Sequence, residues 1–283
     1  MTHSRAGVFM RRGLGLYVPL AITMVIMLFP FYWMIITSLK SDAELFDFTE
    51  NLLWVRNPSL GNYFELFESK YFLRWFWNSV LTSTVVTLFS LMLSVMAGYA
   101  LARLRFVGVT LLGIIIFVTY LVPKTFLFIP LAQVLNQMGV LGEPLTLFLT
   151  YPTFAIPFCT WLLTGYFRTI PVDLEECARI DGCSRLGAIW RIAMPLAVPG
   201  ILTAGIFAFT LSWNELLYAL VFVSGEANKT LPLGVTSVLV FGDTYFWGPL
   251  MAAATLASIP VAILYYAFFD LYVGGLTQGA VKG

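Results

Sequence analysis

The chain is poor in charge, histidine and cysteine. Of 283 residues only 11% are charged, against about 25% in an ordinary soluble chain. The 16 basic residues nearly balance 15 acidic ones, for a net charge of +1. Such a balance offers no bulk attraction for a polyanion, which sets nucleic acid aside as a partner. His3 is the only histidine, so no histidine-based metal site can be assembled. Cys159, Cys177 and Cys183 make an odd set, which does not suit a disulfide framework. A phosphate loop ending in Gly-Lys-Ser/Thr is also absent: the nearest string, Gly225 to Thr230, lacks the second glycine and is too short. The chain cannot hydrolyse ATP by that route, no catalytic residue is expected, and it is read as a non-enzyme.

Apolar residues are abundant instead. They make up 59% of the chain, with a mean hydropathy of +0.86, where a soluble domain has about 45–50%. That excess needs the bilayer as its solvent. Runs of about 18 or more apolar residues cross roughly 30 Å of hydrocarbon as helix, and six occur, near 14–38, 77–102, 109–131, 145–167, 196–223 and 249–273. The first follows Arg11 and Arg12 but exceeds the apolar core of a signal peptide, and no small-residue cleavage site follows, so it is read as a retained helix. The expected fold is an all-α membrane protein with one transmembrane domain over residues 1–283.

Lys and Arg near helix ends are retained on the cytoplasmic side. In the six-helix reading Arg5, Arg11, Arg12, Arg103, Arg105, Arg168, Arg179, Arg185, Arg191 and Lys282 fall on one side; Lys40, Arg56, Lys70, Arg74 and Lys229 fall on the other. Both termini are therefore expected in the cytoplasm. Segment 41–76 is then external and mixes acids with Tyr63, Phe64, Phe67, Tyr71, Phe72, Trp75 and Phe76. It reads either as an interfacial segment along the membrane or as a loop packed on the helix ends.

Residues 170–195 join the fourth and fifth spans and are longer than a link requires. Pro171 precedes a helix start at Asp173, where Asp173 and Glu176 suit a reciprocal capping arrangement. Gly182 supplies the left-handed residue that ends the helix. A second helix begins at Ser184 with Leu186, Ile189, Trp190 and Ala193 on one stripe, and Pro195 and Pro199 are expected to stop it. Glu175, Glu176, Arg179, Asp181 and Arg185 form a charged rim. Such a knob suits docking in a partner's groove; the plain alternative is a connecting loop.

These residues resemble a known family. Glu176-Cys177-Ala178, Asp181-Gly182 and Ile192-Ala193-Met194-Pro195 are similar to the Glu-Ala-Ala, Asp-Gly, Ile-x-Leu-Pro signature of permease subunits of binding-protein-dependent ABC importers. Cys177 and Met194 depart from the usual Ala and Leu but keep a small or apolar group. Thr37-Ser38-Leu39-Lys40, Asn62-Tyr63, Asn78-Ser79, Gly98-Tyr99-Ala100, Trp213-Asn214-Glu215 and the tail 275–283 extend the resemblance over nearly the whole chain, to sugar permeases of the maltose type. The resemblance implies a bacterial or archaeal plasma-membrane subunit with a homologous second permease, two ATP-binding subunits and an extracytoplasmic solute-binding protein. It implies that the loop docks as a coupling helix, with Glu176, Asp181 and the rim arginines Arg179 and Arg185 anchoring it, Leu174, Cys177 and Ala178 in apolar contact and Gly182 at its turn. It also implies that the tail, through Gln278 and Lys282, inserts between the ATP-binding subunits. ATP and Mg belong to those subunits, and no cofactor is expected on this chain.

Charge inside the membrane costs roughly 2.5–3.5 kcal/mol per residue on insertion scales, which makes each such residue a functional candidate. Lys124 lies about 10 Å, and Glu215 about 12 Å, from the outer ends of their spans at the helical rise, so the two are matched in depth for a salt bridge. They serve equally as groups lining a sugar pathway, and Lys124 also has the reach to snorkel outward. Trp213 and Asn214 offer a stacking surface and an amide to sugar rings. Pro123, Pro130, Pro152 and Pro157 interrupt the third and fourth spans, either as packing kinks or because freed carbonyls line a cavity. The substrate is read as a sugar or oligosaccharide, with an anionic sugar derivative such as glycerol phosphate as the alternative that Lys124 leaves open. A membrane enzyme lacks in-span catalytic groups beyond Lys124, Glu215 and Asp270, and an ion-coupled transporter leaves the 170–195 loop unexplained.

Overall fold

A computed structural model describes residues 13–47 and 52–269. The expected tail contacts at Gln278 and Lys282, and the end of the sixth span, lie outside those residues. Among the described residues five helices are long and apolar enough to cross a membrane, and a sixth span arises if Val109–Leu121 and Lys124–Gln137, which meet at a 96° bend, are counted together. The chain separates into two compact units, one of residues up to 70 with 237–258, the other of 71–236 with the residues from 259 onward.

In the first unit, α1 (Val18–Ser38) is apolar all round and buried only at Ile36, Thr37 and Ser38. Its end is fastened to α2 (Gly61–Glu68). The Asn62 amide donates to the Ser38 and Lys40 carbonyls, at 2.9 Å each, and the Tyr63 and Ser38 hydroxyls lie 2.7 Å apart. Two of the motif fragments, Thr37 to Lys40 and Asn62-Tyr63, thus meet and hold one another. Phe64 and Phe67 of α2 remain exposed.

The second unit is built on α3 (Phe72–Arg103), α7 (Pro152–Thr169) and α9 (Met194–Trp213), which pack along one another. Lipid supplies no hydrophobic force to drive helices together, so close approach depends on small residues. Ser79, Ser83, Ser90, Ser94 and Gly98 form the buried stripe of α3, and Ala197, Gly200, Ala204 and Ala208 that of α9. A Cβ on Gly98 would stand 3.0 Å from Leu163 Cβ and 3.2 Å from the Thr164 nitrogen, so the approach of α3 to α7 there requires glycine. The start of α3 holds a distant segment by side-chain bonds: Asn78 donates to the Ala227 and Lys229 carbonyls, Trp75 to the Glu226 carbonyl, and Ser79 Oγ accepts from Leu231 N–H at 2.7 Å.

Between these helices in sequence come α4 (Val109–Leu121), α5 (Phe128–Gln137), α6 (Leu145–Thr150) and α8 (Asp173–Ile180), and α10 (Leu217–Phe222) follows α9. After α11 (Leu231–Leu239) comes a two-stranded hairpin, β1 (Val240–Phe241) with β2 (Thr244–Tyr245), and then α12 (Trp247–Ala267).

Several helix limits differ from those expected of the sequence. The second span starts at Phe72, which takes Phe72 and Trp75 out of the external segment into buried positions. The third breaks at Pro123, whose ring also holds Val122 extended at ψ 123°. The fourth carries on through its prolines: only Tyr151, itself helical at φ −62° and ψ −34°, separates α6 from α7, Pro152 opens α7 and Pro157 lies within it, so Leu145–Thr169 serves as one span. The fifth run does not continue to 223, because α9 stops at Trp213 and α10 restarts at Leu217. At its other end Pro195 and Pro199 fail to stop the helix, which runs unbroken from Arg185 to Trp213. A π-helical stretch at Ile189–Ala193 shifts the hydrogen-bond register just before Pro195.

Candidate functional site

Two places concentrate the charged and irregular features: the 170–195 loop, and the paired helix breaks at Pro123 and Asn214. In the loop, α8 begins at Asp173 with Val172 as its cap residue and no side-chain capping bond. The expected reciprocal cap of Asp173 and Glu176 is therefore absent; Asp173 already lies inside the helix, where it, Glu175 and Glu176 oppose the positive end of the dipole. The other end matches expectation. Gly182 has φ +94°, its N–H bonds the Arg179 carbonyl at 3.2 Å and the Cys183 N–H bonds the Ala178 carbonyl at 2.9 Å, a Schellman pair. Ser184 Oγ then accepts from Gly187 N–H at 3.1 Å and opens the next helix.

The loop's side chains divide differently from the expected rim and apolar contact. Leu174, Glu176, Cys177, Ile180, Asp181 and Arg185 are exposed. Ala178, expected in a partner contact, is buried against its own chain, and Glu175, expected on the rim, lies beside it three residues earlier on the same inward stripe. Glu175 Oε1 sits 2.9 Å from Arg103 Nε and its Oε2 accepts from the Tyr99 hydroxyl at 2.6 Å; Arg103 Nη2 donates to the Ile170 carbonyl at 2.6 Å. A helical-wheel reading of α8 with Ala178 inward would have pointed to Glu175, but nothing local pointed to Arg103. The second stripe also splits. Ala193 is fully buried, while Leu186 and Trp190 stay exposed and, with Met92, Met96 and Val198, line an apolar groove of about 1190 Å³.

At the paired breaks, Lys124 Nζ lies 3.7 Å from Glu215 Oε1 and 3.8 Å above the Phe154 ring. Glu215 is almost wholly enclosed, with 2% of its side chain accessible, against 35% for Lys124. Its other oxygen accepts from Tyr218 N–H at 2.9 Å and Ala219 N–H at 3.4 Å, so the carboxylate bonds the first free donors of α10 as well as facing a cation. Phe154 belongs to an aromatic cluster with Tyr151, Tyr218, Phe222 and Phe128. Trp213 does not offer an open stacking surface: it is 3% exposed, with Phe209 stacked on it and Phe76 against it edge-on. Asn214 is exposed, and its amide donates to the Thr210 carbonyl at 3.0 Å, closing the end of α9.

Comparison with known proteins is consistent with these features. The chain is 37% identical to the sulfoquinovosyl glycerol transport system permease of Agrobacterium fabrum, over 94% of this chain and 93% of that one. It is 34% identical to the diacetylchitobiose uptake system permease of Streptomyces coelicolor, over 91% and 92% respectively. A solved bacterial ABC transporter that imports the acidic polysaccharide alginate shares the fold, with a TM-score of 0.76 at 22% identity, over 95% of this chain and 99% of that one. Residues 90–278, which hold the loop and both helix breaks, match the family described as binding-protein-dependent transport system inner membrane component, and the chain belongs to that family.

Proposed function

We propose that this chain is one of two homologous permease subunits in the plasma membrane of a bacterium or archaeon, forming half of the pathway through which an ATP-driven importer moves a sugar or oligosaccharide. An extracytoplasmic solute-binding protein delivers the solute, and two ATP-binding subunits, which hold ATP and Mg, dock on the 170–195 loop as a coupling helix. Both termini lie on that same cytoplasmic side, and the tail at 275–283 inserts between the ATP-binding subunits through Gln278 and Lys282. The observation that carries the reading is the outward face of α8: Leu174, Glu176, Cys177 and Ile180 are exposed beside a turn that fixes their direction. Glu176→Lys is expected to reduce recovery of the ATP-binding subunits with the purified permease by about tenfold or more, the equivalent of one charge-assisted contact reversed. Undiminished recovery and uptake would remove the docking role of α8.

The substrate class rests on what relatives transport, and Lys124 favours an acidic member of it. A partly accessible cation beside a helix break suits a carboxylate, sulfonate or phosphate on the sugar. Thermal shift of the partner solute-binding protein with neutral and acidic sugars is the direct check. Stabilisation by acidic sugars alone supports this second reading, and stabilisation by neutral sugars alone leaves Lys124 to its pair with Glu215.

A further inference from the structure

A coupling loop that joins α7 to α9 would by covalent connection move only those two helices. The 99–103 turn of α3 changes that. Arg103 bonds the Ile170 carbonyl, at the last residue of the α7 cap, and Glu175, on the first turns of α8. One guanidinium therefore spans the Ile170–Val172 hinge about which α8 would tilt relative to α7. The Tyr99 hydroxyl binds the second carboxylate oxygen, and its ring meets Phe167 edge-on at 5.5 Å. Both charged side chains are about nine-tenths or more buried, at 7% and 10% accessible. Five residues before Arg103, Gly98 brings α3 against the α7 backbone.

We infer that Arg103, Glu175 and Tyr99 form a latch that binds α8 to α3, so that displacement of the coupling loop is delivered to α3 together with α7 and α9. These are positioning residues, which touch neither solute nor nucleotide. The physical reason is that tilting α8 at its hinge would separate a buried carboxylate from a buried guanidinium and strand both in a poorly solvated site. Moving α3 with the loop keeps the pair intact. The inference rests on the reading that α8 receives the ATP-binding subunits.

The test uses the assembled importer in proteoliposomes, with Cys159, Cys177 and Cys183 replaced by serine and spin labels at Asp173→Cys, the first residue of α8 and not one of the proposed docking contacts, and at Met96→Cys on α3, both exposed positions. Label separation is measured without nucleotide and after trapping with ATP and vanadate. With the latch intact the separation stays the same in the two states. In Glu175→Gln and Arg103→Gln it is expected to change on trapping, and solute moved per ATP to fall by about tenfold, within the usual range of coupling between sites. Arg103→Lys, which keeps the charge but not the fork, is expected to restore a constant separation in part and covers the case in which a glutamine variant does not assemble. A separation that shifts equally in wild type and variants, or that stays constant in all of them, overturns the latch. Thiol cross-linking from Cys177 to the ATP-binding subunits, run alongside on protein that keeps Cys177, tells the two failures apart: its absence in the wild type sinks the docking reading and the latch with it, whereas its presence with a mobile separation sinks the latch alone.

Discussion

Gly182→Val is expected to abolish uptake while the ATP-binding subunits go on hydrolysing ATP, with Gly182→Ala intermediate and Gly182→Asn mildest. A Cβ at this position would meet nothing within 4 Å, so crowding plays no part in the order. The cause is the backbone, at φ +94°. Left-handed conformation costs an L-residue roughly 1–2 kcal/mol, less for asparagine and more for a β-branched side chain. About 1.4 kcal/mol already lowers the population of the correct turn tenfold. Losing the turn releases the bonds to the Arg179 and Ala178 carbonyls and redirects Ser184 and everything after it relative to α8. The measurement is uptake and ATPase activity of the reconstituted complex for the three variants. A valine variant that inserts and transports at the wild-type rate would show that the turn does not orient the docking face.

Lys124→Met is expected to destabilise the purified complex by about 2 kcal/mol, below the 3–5 kcal/mol typical of breaking a buried pair, because Lys124 is partly accessible and Glu215 keeps its bonds to α10. Adding Glu215→Gln should recover most of the loss. Adding Glu215→Ala should recover less, since alanine removes the acceptor for Tyr218 and Ala219 N–H as well as the charge. A cycle of single and double variants, followed by thermal unfolding of the complex, isolates the pair. Equal losses for the Gln and Ala double variants would mean that Glu215 does not cap α10. No recovery in either would mean that the two charges are uncoupled, and a Lys124 variant of full stability that fails to take up an acidic solute would assign the cation to the pathway.

The loop was legible because its signals are local. Gly182, Ser184 and the acidic first turn act within a few residues, and their geometry follows from backbone preference. A Lys124–Glu215 pair was one of the readings the sequence left open, and the two do come within 3.7 Å, but the arithmetic of helical rise assumed unbroken spans and both spans break beside these residues. What that arithmetic left open was the company each residue keeps. Trp213 looked like a platform and is enclosed by Phe209 and Phe76, because the face it turns inward depends on α3. Asp173 looked like a cap and is one residue too late, as the helix starts directly after Pro171 and Val172.

Scarcity of charge and the long apolar runs by themselves determined that this chain belongs in a bilayer, and local backbone signals determined that 170–195 holds a helix, a glycine turn and a second helix start. Transfer free energy and backbone preference are properties of short stretches, so a linear reading captures them. Tertiary structure alone decided that Glu175 turns inward to Arg103, 72 positions away, and that two helix breaks meet at Lys124 and Glu215. A buried charge takes whichever counter-charge packing brings within reach, and that depends on how α3, α7 and α9 approach through their small residues.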